Sequence, residues 1–159
     1  MATDIFARIG DIKGESADDR HRDEIDVLSW SWGLSQSSPN PGSGAAAGKI
    51  AFNDFNFTHR VDRASPMLMR ACATGQHLKD ATITMRKAGK GQHEYLIIKM
   101  TDVLVTNVQL GASGDEAATA ENVALRFGKV ELAYKPQKPD GSLDADVLFK
   151  YDLKSNKEG

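Results

Sequence analysis

The chain has 159 residues, of which 40% are hydrophobic and 26% charged, and its formal net charge is −2. This length suits one domain, so residues 1–159 are expected to form a single unit with a core that needs no disulfides. The near-neutral charge excludes a strong electrostatic footprint for nucleic acid or an anionic membrane, and no segment approaches the roughly 20 apolar residues of a membrane helix.

The N-terminus and the cysteine content bear on where the chain acts. Residues 1–10 lack a charged start followed by a long apolar run, so they indicate a strand and not a cleaved leader. Cys72 is the single cysteine, which excludes an internal disulfide. We therefore expect synthesis in the cytoplasm and, if the protein leaves the cell, export without a cleaved leader.

The pattern along the chain predicts a mainly β fold with one short helix. Ser65 is expected to cap that helix, with Pro66 at its first position and Gly75 ending it, and Cys72 belongs to its apolar stripe. Two loops rich in small residues separate strands, at 37–48 and 111–116. Strands are predicted at 4–9, 24–36, 50–58, 82–87, 94–100, 103–110, 122–134 and 147–153.

The segment 24–36 is the most informative strand, because its two faces differ in an unusual way. Successive strand side chains point to opposite faces. One face is large and apolar and is predicted to lie in the barrel core; it consists of Leu28, Trp30, Trp32 and Leu34. The other face is small and uncharged, where a water-facing strand would carry Lys, Glu or Thr; it consists of Ser29, Ser31, Gly33 and Ser35.

Several strands change the face on which their apolar residues lie. The change falls between Val27 and Leu28, between Phe52 and Phe55, and at Gly128. Each change predicts a bulge or bend, or a strand whose two halves bury different faces, one in the core and one against another subunit. Both causes favour a closed, strongly curved barrel, and the second favours an oligomer with apolar strand halves such as 130–134 or 103–105 at its contacts.

The sequence matches none of the catalytic or metal-binding motifs considered below, so we predict no enzyme, no cofactor and no metal. The segment 42–49 lacks the glycine spacing of a phosphate-binding loop, and Ile50 follows Lys49 where that motif needs Ser or Thr. The four histidines have no paired spacing, and no nucleophile elbow is present. The acidic residues between Asp18 and Asp26 lack calcium-loop spacing and are expected to form a solvated face.

Six segments, in order along nearly the whole chain, resemble one protein family. These are Ile9-Gly-Asp-Ile-Lys-Gly-Glu-Ser16, Glu24-Ile-Asp-Val-Leu-Ser-Trp-Ser-Trp-Gly33, Arg86-Lys-Ala-Gly89, Glu94-Tyr-Leu-Ile-Ile98, Glu121-Asn-Val123 and Tyr134-Lys-Pro-Gln-Lys138. They resemble the Hcp (haemolysin-coregulated protein) family, whose members form the inner tube of the bacterial type VI secretion system. Residues 38–48 and those after Asp140 follow the family pattern least closely.

The resemblance implies a fold, an assembly and partners. The fold would be a compact, tail-tube-like β-barrel of two antiparallel sheets with one flanking helix. The assembly would be a homohexameric ring with an open channel, stacked into a tube inside a contractile sheath and beneath a trimeric spike (VgrG). Such rings carry and chaperone small effector proteins and are injected with them. A phage tail-tube protein is the alternative, with a secreted hydrolase a more distant one.

The resemblance and the strand pattern meet on the small, uncharged face. If Trp30 and Trp32 fill the barrel, then Ser29, Ser31 and Gly33 point away from it and are predicted to face the channel, with Ser113 at the channel or its rim. The alternative is that these serines simply cover an external sheet face. The polar excursions at 11–23 and 36–49 are candidates for contacts between stacked rings.

Overall fold

The computed structural model describes residues 3–37, 49–87, 91, 93–115 and 119–159. Apart from Ser37, the predicted loop at 37–48 lies outside the described residues. The elements are β1 (Thr3–Ile9), β2 (Ile25–Ser31), β3 (Leu34–Ser37), β4 (Lys49–Phe52), β5 (Phe55–Arg60), α1 (Ser65–Thr74), β6 (Leu78–Lys87), β7 (Glu94–Gly111), β8 (Ala120–Tyr134), β9 (Val147–Asp152) and β10 (Lys157–Glu158).

Six strands close into a barrel. They run in the order β8-β5-β2-β1-β6-β7, and β7 pairs back onto β8, with every pairing antiparallel. Strands β9 and β10 extend the sheet beyond β8, while β3 and β4 form a separate two-stranded sheet. The predicted mainly β barrel with one short helix is confirmed, and its two sheets differ greatly in size.

The seam of the barrel is made by its two longest strands, β7 and β8. The two strands predicted at 94–100 and 103–110 are one continuous strand. It passes through Asp102, which has a φ of 59°, and β8 comes so close there that a Cβ on Gly128 would lie 3.3 Å from the Cβ of Asp102. Buried positions on β8 change from odd numbers to even numbers at Gly128, where a change was predicted. The register shift of this pair lies elsewhere, between Val105 and Asn107.

The barrel interior is filled by alternate residues of all six strands. Fully buried side chains include Ile9, Ile25, Phe55, Phe57, Ile83, Ile98, Met100 and Leu125. Val103, Val105 and Val130 are also buried there, so the sequence-based suggestion that these strand halves serve subunit contacts is wrong for them. Three exposed apolar residues lie where the end of β8 pairs with the start of β9: Tyr134, Val147 and Leu148.

Strand β2 departs from simple alternation, and this corrects two core predictions. Leu28 and Leu34 are 48% and 45% exposed, so neither lies in the core of the chain. The β2–β5 pairing shifts register between Val27 and Ser29, and this bulge turns Leu28 outward. Leu34 begins β3, after the chain has left the barrel.

Both tryptophans pack against the edge of the core and are half-buried. The Trp30 ring stacks on Phe55 with centroids 5.4 Å apart, and the Trp32 ring lies edge-on to Phe127 at 6.0 Å. The indole of Trp32 also donates a hydrogen bond of 3.0 Å to the carbonyl of Asn53. Trp32 thereby fixes the point at which the β3–β4 hairpin leaves the barrel.

Helix α1 connects β5 to β6 and packs against β7. Its N-cap is Ala64 and not Ser65, and no side chain caps it. The Ser65 hydroxyl is buried and instead accepts a 3.1 Å hydrogen bond from the amide of Asp62. Gly75 ends the helix in the left-handed conformation, as predicted, with a φ of 67°. Within the described residues, no helix has both the length and the apolar composition needed to cross a bilayer.

Candidate functional site

A continuous polar surface, here called the polar face, crosses four neighbouring strands on the outside of the barrel. Residues directly opposite each other in an antiparallel pair share a face of the sheet. The register therefore places two rows of side chains together. One row consists of Ser29, Thr58, Asn122 and Gln109, and the other of Ser31, Asn56, Ala124 and Asn107.

The polar face is set directly against the core. The row between its two rows points into the barrel and consists of Trp30, Phe57, Val123 and Val108. Phe57 and Val123 are buried, whereas Ser29, Ser31, Asn122 and Gln109 are exposed. Burial of the apolar row thus fixes the outward direction of the uncharged one, because a slip of one residue would exchange the two faces.

Charge lies at both margins of these two rows: exposed Arg60 follows Thr58 on β5 beyond the first row, and a pair of opposite charges lies beyond the second. The guanidinium of Arg126 lies 3.2 Å from the Asp54 carboxylate. The Thr106 hydroxyl donates a 2.7 Å hydrogen bond to the other oxygen of that carboxylate. The paired ions contribute little field to the rows beside them. What remains is a surface of hydroxyl and amide groups that offers weak hydrogen bonding without net charge.

The structure brings Ser113 to this surface and separates Gly33 from it. Ser113 lines a shallow depression of about 420 Å³ together with Thr58, Gln109 and Asn122, at one end of the polar face. Gly33 belongs to neither row. Its carbonyl accepts a 3.0 Å hydrogen bond from the amide of Asn53 at the base of the β3–β4 hairpin.

Sequence reasoning missed most of the polar face. The missed residues are Asn56, Thr58, Asn107, Gln109 and Asn122. Each alternates with a buried or half-buried apolar residue, so a signal was present in every strand. Only the strand order, which brings β2, β5, β8 and β7 side by side, shows that these separate alternations make one surface.

Asp18 and Glu24 belong to the segment predicted as a solvated face, and both make contacts within the folded chain. Asp18 accepts hydrogen bonds of 3.0 and 2.6 Å from the buried guanidinium of Arg86, which also bonds Asp4 at 2.9 Å. Those bonds hold the pKa of the Asp18 carboxyl well below its ordinary value. This ion-pair cluster ties the 10–24 loop to strands β1 and β6.

A second contact anchors the same loop. The His21 ring stacks on Phe6 with centroids 4.3 Å apart. Its Nδ1 lies 3.0 Å from Glu24, and its Nε2 lies 2.6 Å from Glu94 at the start of β7. Among the described residues, no group of three or more His, Cys, Asp and Glu side chains is arranged to hold a metal ion.

These observations define a class before they define a family. A closed six-stranded barrel, with a short helix and a broad uncharged outer face, has the architecture of a tail-tube-like protein. The family model for "Type VI secretion system effector, Hcp" matches residues 6–134 of the chain. The chain therefore belongs to the Hcp family of type VI secretion proteins, which is a family of structural, secreted proteins and not of enzymes.

Individual relatives agree with this assignment. The chain is 48% identical to protein hcp1 of Pseudomonas aeruginosa, with 98% of each sequence covered. The crystal structure of Hcp1 from Salmonella typhimurium is 39% identical and matches with a TM-score of 0.80 over 100% of both chains. A structure titled as a type six secretion system protein is 26% identical, with a TM-score of 0.92 over 99% of this chain and 100% of the other.

Proposed function

We propose that the chain forms homohexameric rings whose channel is lined by the polar face, and that these rings stack into a tube that carries small effector proteins. In this assembly the spike sits above the tube, the sheath surrounds it, and the tube leaves the cell by type VI secretion. The single observation that supports the channel most directly is the polar face itself, which is broad, exposed and uncharged across four strands.

The width of the polar face is consistent with a channel that admits folded proteins. Strands lie about 4.8 Å apart, so four of them span about 19 Å, and six copies give a circumference of about 115 Å and a diameter of about 37 Å. A folded protein of 100 residues has a radius of gyration of about 13 Å, and hence a diameter of about 34 Å. The estimate therefore matches a small cargo protein in loose contact with the wall.

The chemistry of the polar face also suits a carrier. Serine, threonine, asparagine and glutamine side chains both donate and accept hydrogen bonds, so they fit many surfaces. The two rows themselves carry no charged residue, and the Asp54–Arg126 pair at one margin is neutralised, so cargo in contact with the rows meets little charge. Loose contact over a large area gives retention without strong affinity, which is what release after injection requires.

Replacing Ser31 by Trp tests the channel. Ser31 is exposed in the second row of the polar face, so a bulky apolar side chain there is expected to leave the ring intact and to reduce effector retention. The measurement is co-purification of a small type VI effector expressed with the ring, alongside ring mass by light scattering. Thr74→Trp, on the exposed end of α1, is the matched control and is expected to retain the effector.

The outcomes separate two failures. A monomer under all conditions would contradict the ring. If Ser31→Trp forms an intact ring that retains the effector as the unmodified ring does, assembly stands and the polar face is excluded as the cargo-facing wall.

A further inference from the structure

An open groove lies between helix α1 and the segment that follows β1. It has a volume of about 600 Å³ and is lined by Ile12, Pro66 and Met67 with charged residues around them, the full set being Asp11, Ile12, Lys13, Arg63, Pro66, Met67, Arg70 and Gln76. Met67 is 39% exposed on its floor. The groove is therefore apolar inside and charged at its rim, and it faces solvent in the single chain.

Among the described residues the rim carries more basic than acidic side chains, with the Glu15 carboxylate beside it, where it accepts a 2.7 Å hydrogen bond from the amide of Arg63. Lys13, Arg63 and Arg70 outnumber Asp11, and none of the three cations makes an ion pair with a described residue. Other basic side chains of the barrel, such as Arg86, do have carboxylate partners. A partner that presents carboxylates beside apolar side chains would complement both properties of the groove.

The same chain presents such a segment, residues 140–147, here called the acidic segment. It carries Asp140, Asp144 and Asp146 within seven positions, and it ends in Val147, which is 61% exposed. The Asp140 carboxylate accepts hydrogen bonds from Ser142, and the Asp144 carboxylate accepts one from the amide of Ala145. The Asp146 carboxylate lies 3.8 Å from the ammonium group of Lys135. Two of its three carboxylates therefore have no cationic partner among the described residues.

The groove and the acidic segment lie at opposite ends of β6. The groove adjoins the start of this strand, where the amide of Gly10 donates to the carbonyl of Asp80. The acidic segment follows Gln137, which accepts a 2.8 Å hydrogen bond from Lys87 at the end of the strand. A ten-residue strand spans about 33 Å, so one chain cannot bring its own two surfaces together.

We infer that the acidic segment of one copy docks in the groove of a second copy, and that this head-to-tail contact joins one ring to the next. The inference rests on the proposed function, since it places the contact between stacked rings. A contact between two different surfaces leaves a groove free at one end of the assembly and an acidic segment free at the other. Further copies can therefore add at both ends, and the assembly stays open. The groove supplies apolar floor and cations, and the segment supplies Val147 and carboxylates.

Disulfide trapping tests the contact. In a Cys72→Ala background, Met67→Cys and Ala145→Cys are combined in one chain and the rings are oxidised under conditions that favour tubes. We expect a ladder of covalent species that extends beyond six chains, and no ladder from either single variant. The control pair, Met67→Cys with Ser155→Cys on the exposed β9–β10 turn, is expected to give none. A ladder that ends at six chains would place the contact within a ring and overturn the inference.

Charge reversal gives an independent readout. Arg63→Glu with Arg70→Glu is expected to keep ring mass and to abolish tubes seen by electron microscopy. Adding Asp140→Lys and Asp144→Lys is expected to restore them. Lys99→Glu with Lys150→Glu, on exposed positions elsewhere, is the control and should leave tubes unchanged.

The failures are distinguishable. If no hexamer forms from the unmodified chain, the proposed function fails. If hexamers and tubes form equally well with and without the Arg63 and Arg70 changes, the inference about the groove fails and the proposed function stands. Loss of sheath binding with unchanged tubes would likewise overturn it and assign the groove to the sheath.

Discussion

At the scale of single residues, the buried Arg86 side chain near the end of β6 holds three segments of the chain together. Its side chain is 3% exposed, and it bonds Asp18 and Asp4 from two other segments while lying 4.9 Å from the Phe6 ring centroid. Removing one member of a buried ion pair leaves uncompensated charge. The side chain is therefore a tie between β1, β6 and the 10–24 loop.

We expect Arg86→Ala to lower the free energy of unfolding by about 2–3 kcal/mol, below the full cost of a wholly buried pair because Asp4 and Asp18 reach solvent. Arg8→Ala is the control. Its guanidinium is half exposed and lies 3.8 Å from Asp80, so about 0.5 kcal/mol or less is expected. Urea unfolding at one protomer concentration measures both, and equal losses would contradict the assignment.

The stability of the chain at low pH tests the same contact between Arg86 and Asp18. Arg86 keeps the pKa of Asp18 below its ordinary value of 3.8, so this carboxylate stabilises the folded state fully above that pH. The contribution is lost as the pH falls below 3.8 towards the lowered folded-state pKa. The stability difference between the unmodified chain and Asp18→Asn should therefore be constant near neutrality and shrink only below about pH 4.

Residue patterns identified the strands well and failed where backbone geometry intervened. Alternation around Phe55 and Phe57 is enough to predict a strand and its buried face. Leu28 fits the same rule and is nevertheless exposed, because the bulge after Val27 depends on how β2 pairs with β5. The cap at Ala64 was missed because Ser65 bonds Asp62 instead of a helix amide.

At the scale of elements, a buried polar pair links strands β5 and β8. His59 and Glu121 face each other directly across the two strands, both wholly buried, with Nε2 and Oε1 2.7 Å apart. Asp62 stands 3.8 Å from the other ring nitrogen, and burial raises the pKa of its carboxyl. Among the described residues, the other ring nitrogen of His59 and the other carboxylate oxygen of Glu121 have no hydrogen-bond partner, so each side chain depends on the other for its hydrogen bond.

A double-mutant cycle should show that dependence. His59→Leu or Glu121→Met alone is expected to cost about 3–5 kcal/mol, because each leaves a buried partner unpaired. The double variant is expected to cost much less than the sum, since two apolar side chains of similar volume replace the pair. Urea unfolding of the four proteins gives the coupling, and additive losses would contradict a mutual pair.

The polar face could be predicted only in part from the sequence. Ser29 and Ser31 stand out because one strand alternates so clearly, and Thr58, Asn122 and Gln109 alternate as well. Their union into one surface depends on β5 lying between β2 and β8, which are far apart along the chain. Such long-range pairing follows from barrel closure, which no local pattern encodes.

At the scale of the whole molecule, the β3–β4 hairpin projects from the barrel and is anchored at its base, where the Phe52 ring lies 4.9 Å from Tyr151 and 6.4 Å from Phe127. Its strands pair only with each other, and the described side chains of β3 are all exposed. A lone two-stranded hairpin is marginally stable in water, and the aromatic contacts at its base supply part of what it lacks. The exposed strand β3 is what fits a role in contacts with another copy, as the excursion at 36–49 was predicted to have.

Deleting residues 39–47, which lie outside the described part of the chain, should separate ring formation from stacking. Ser37 pairs with Lys49, so the deletion leaves Ser38 and Gly48 as a two-residue connection suited to a tight hairpin. The six barrel strands keep all their partners. We therefore expect a ring of about 100 kDa by light scattering, since each of six copies of the 17.3 kDa chain loses about 0.7 kDa with the nine residues. Tubes should be lost in electron micrographs; normal tubes from this deletion would exclude the hairpin tip from stacking.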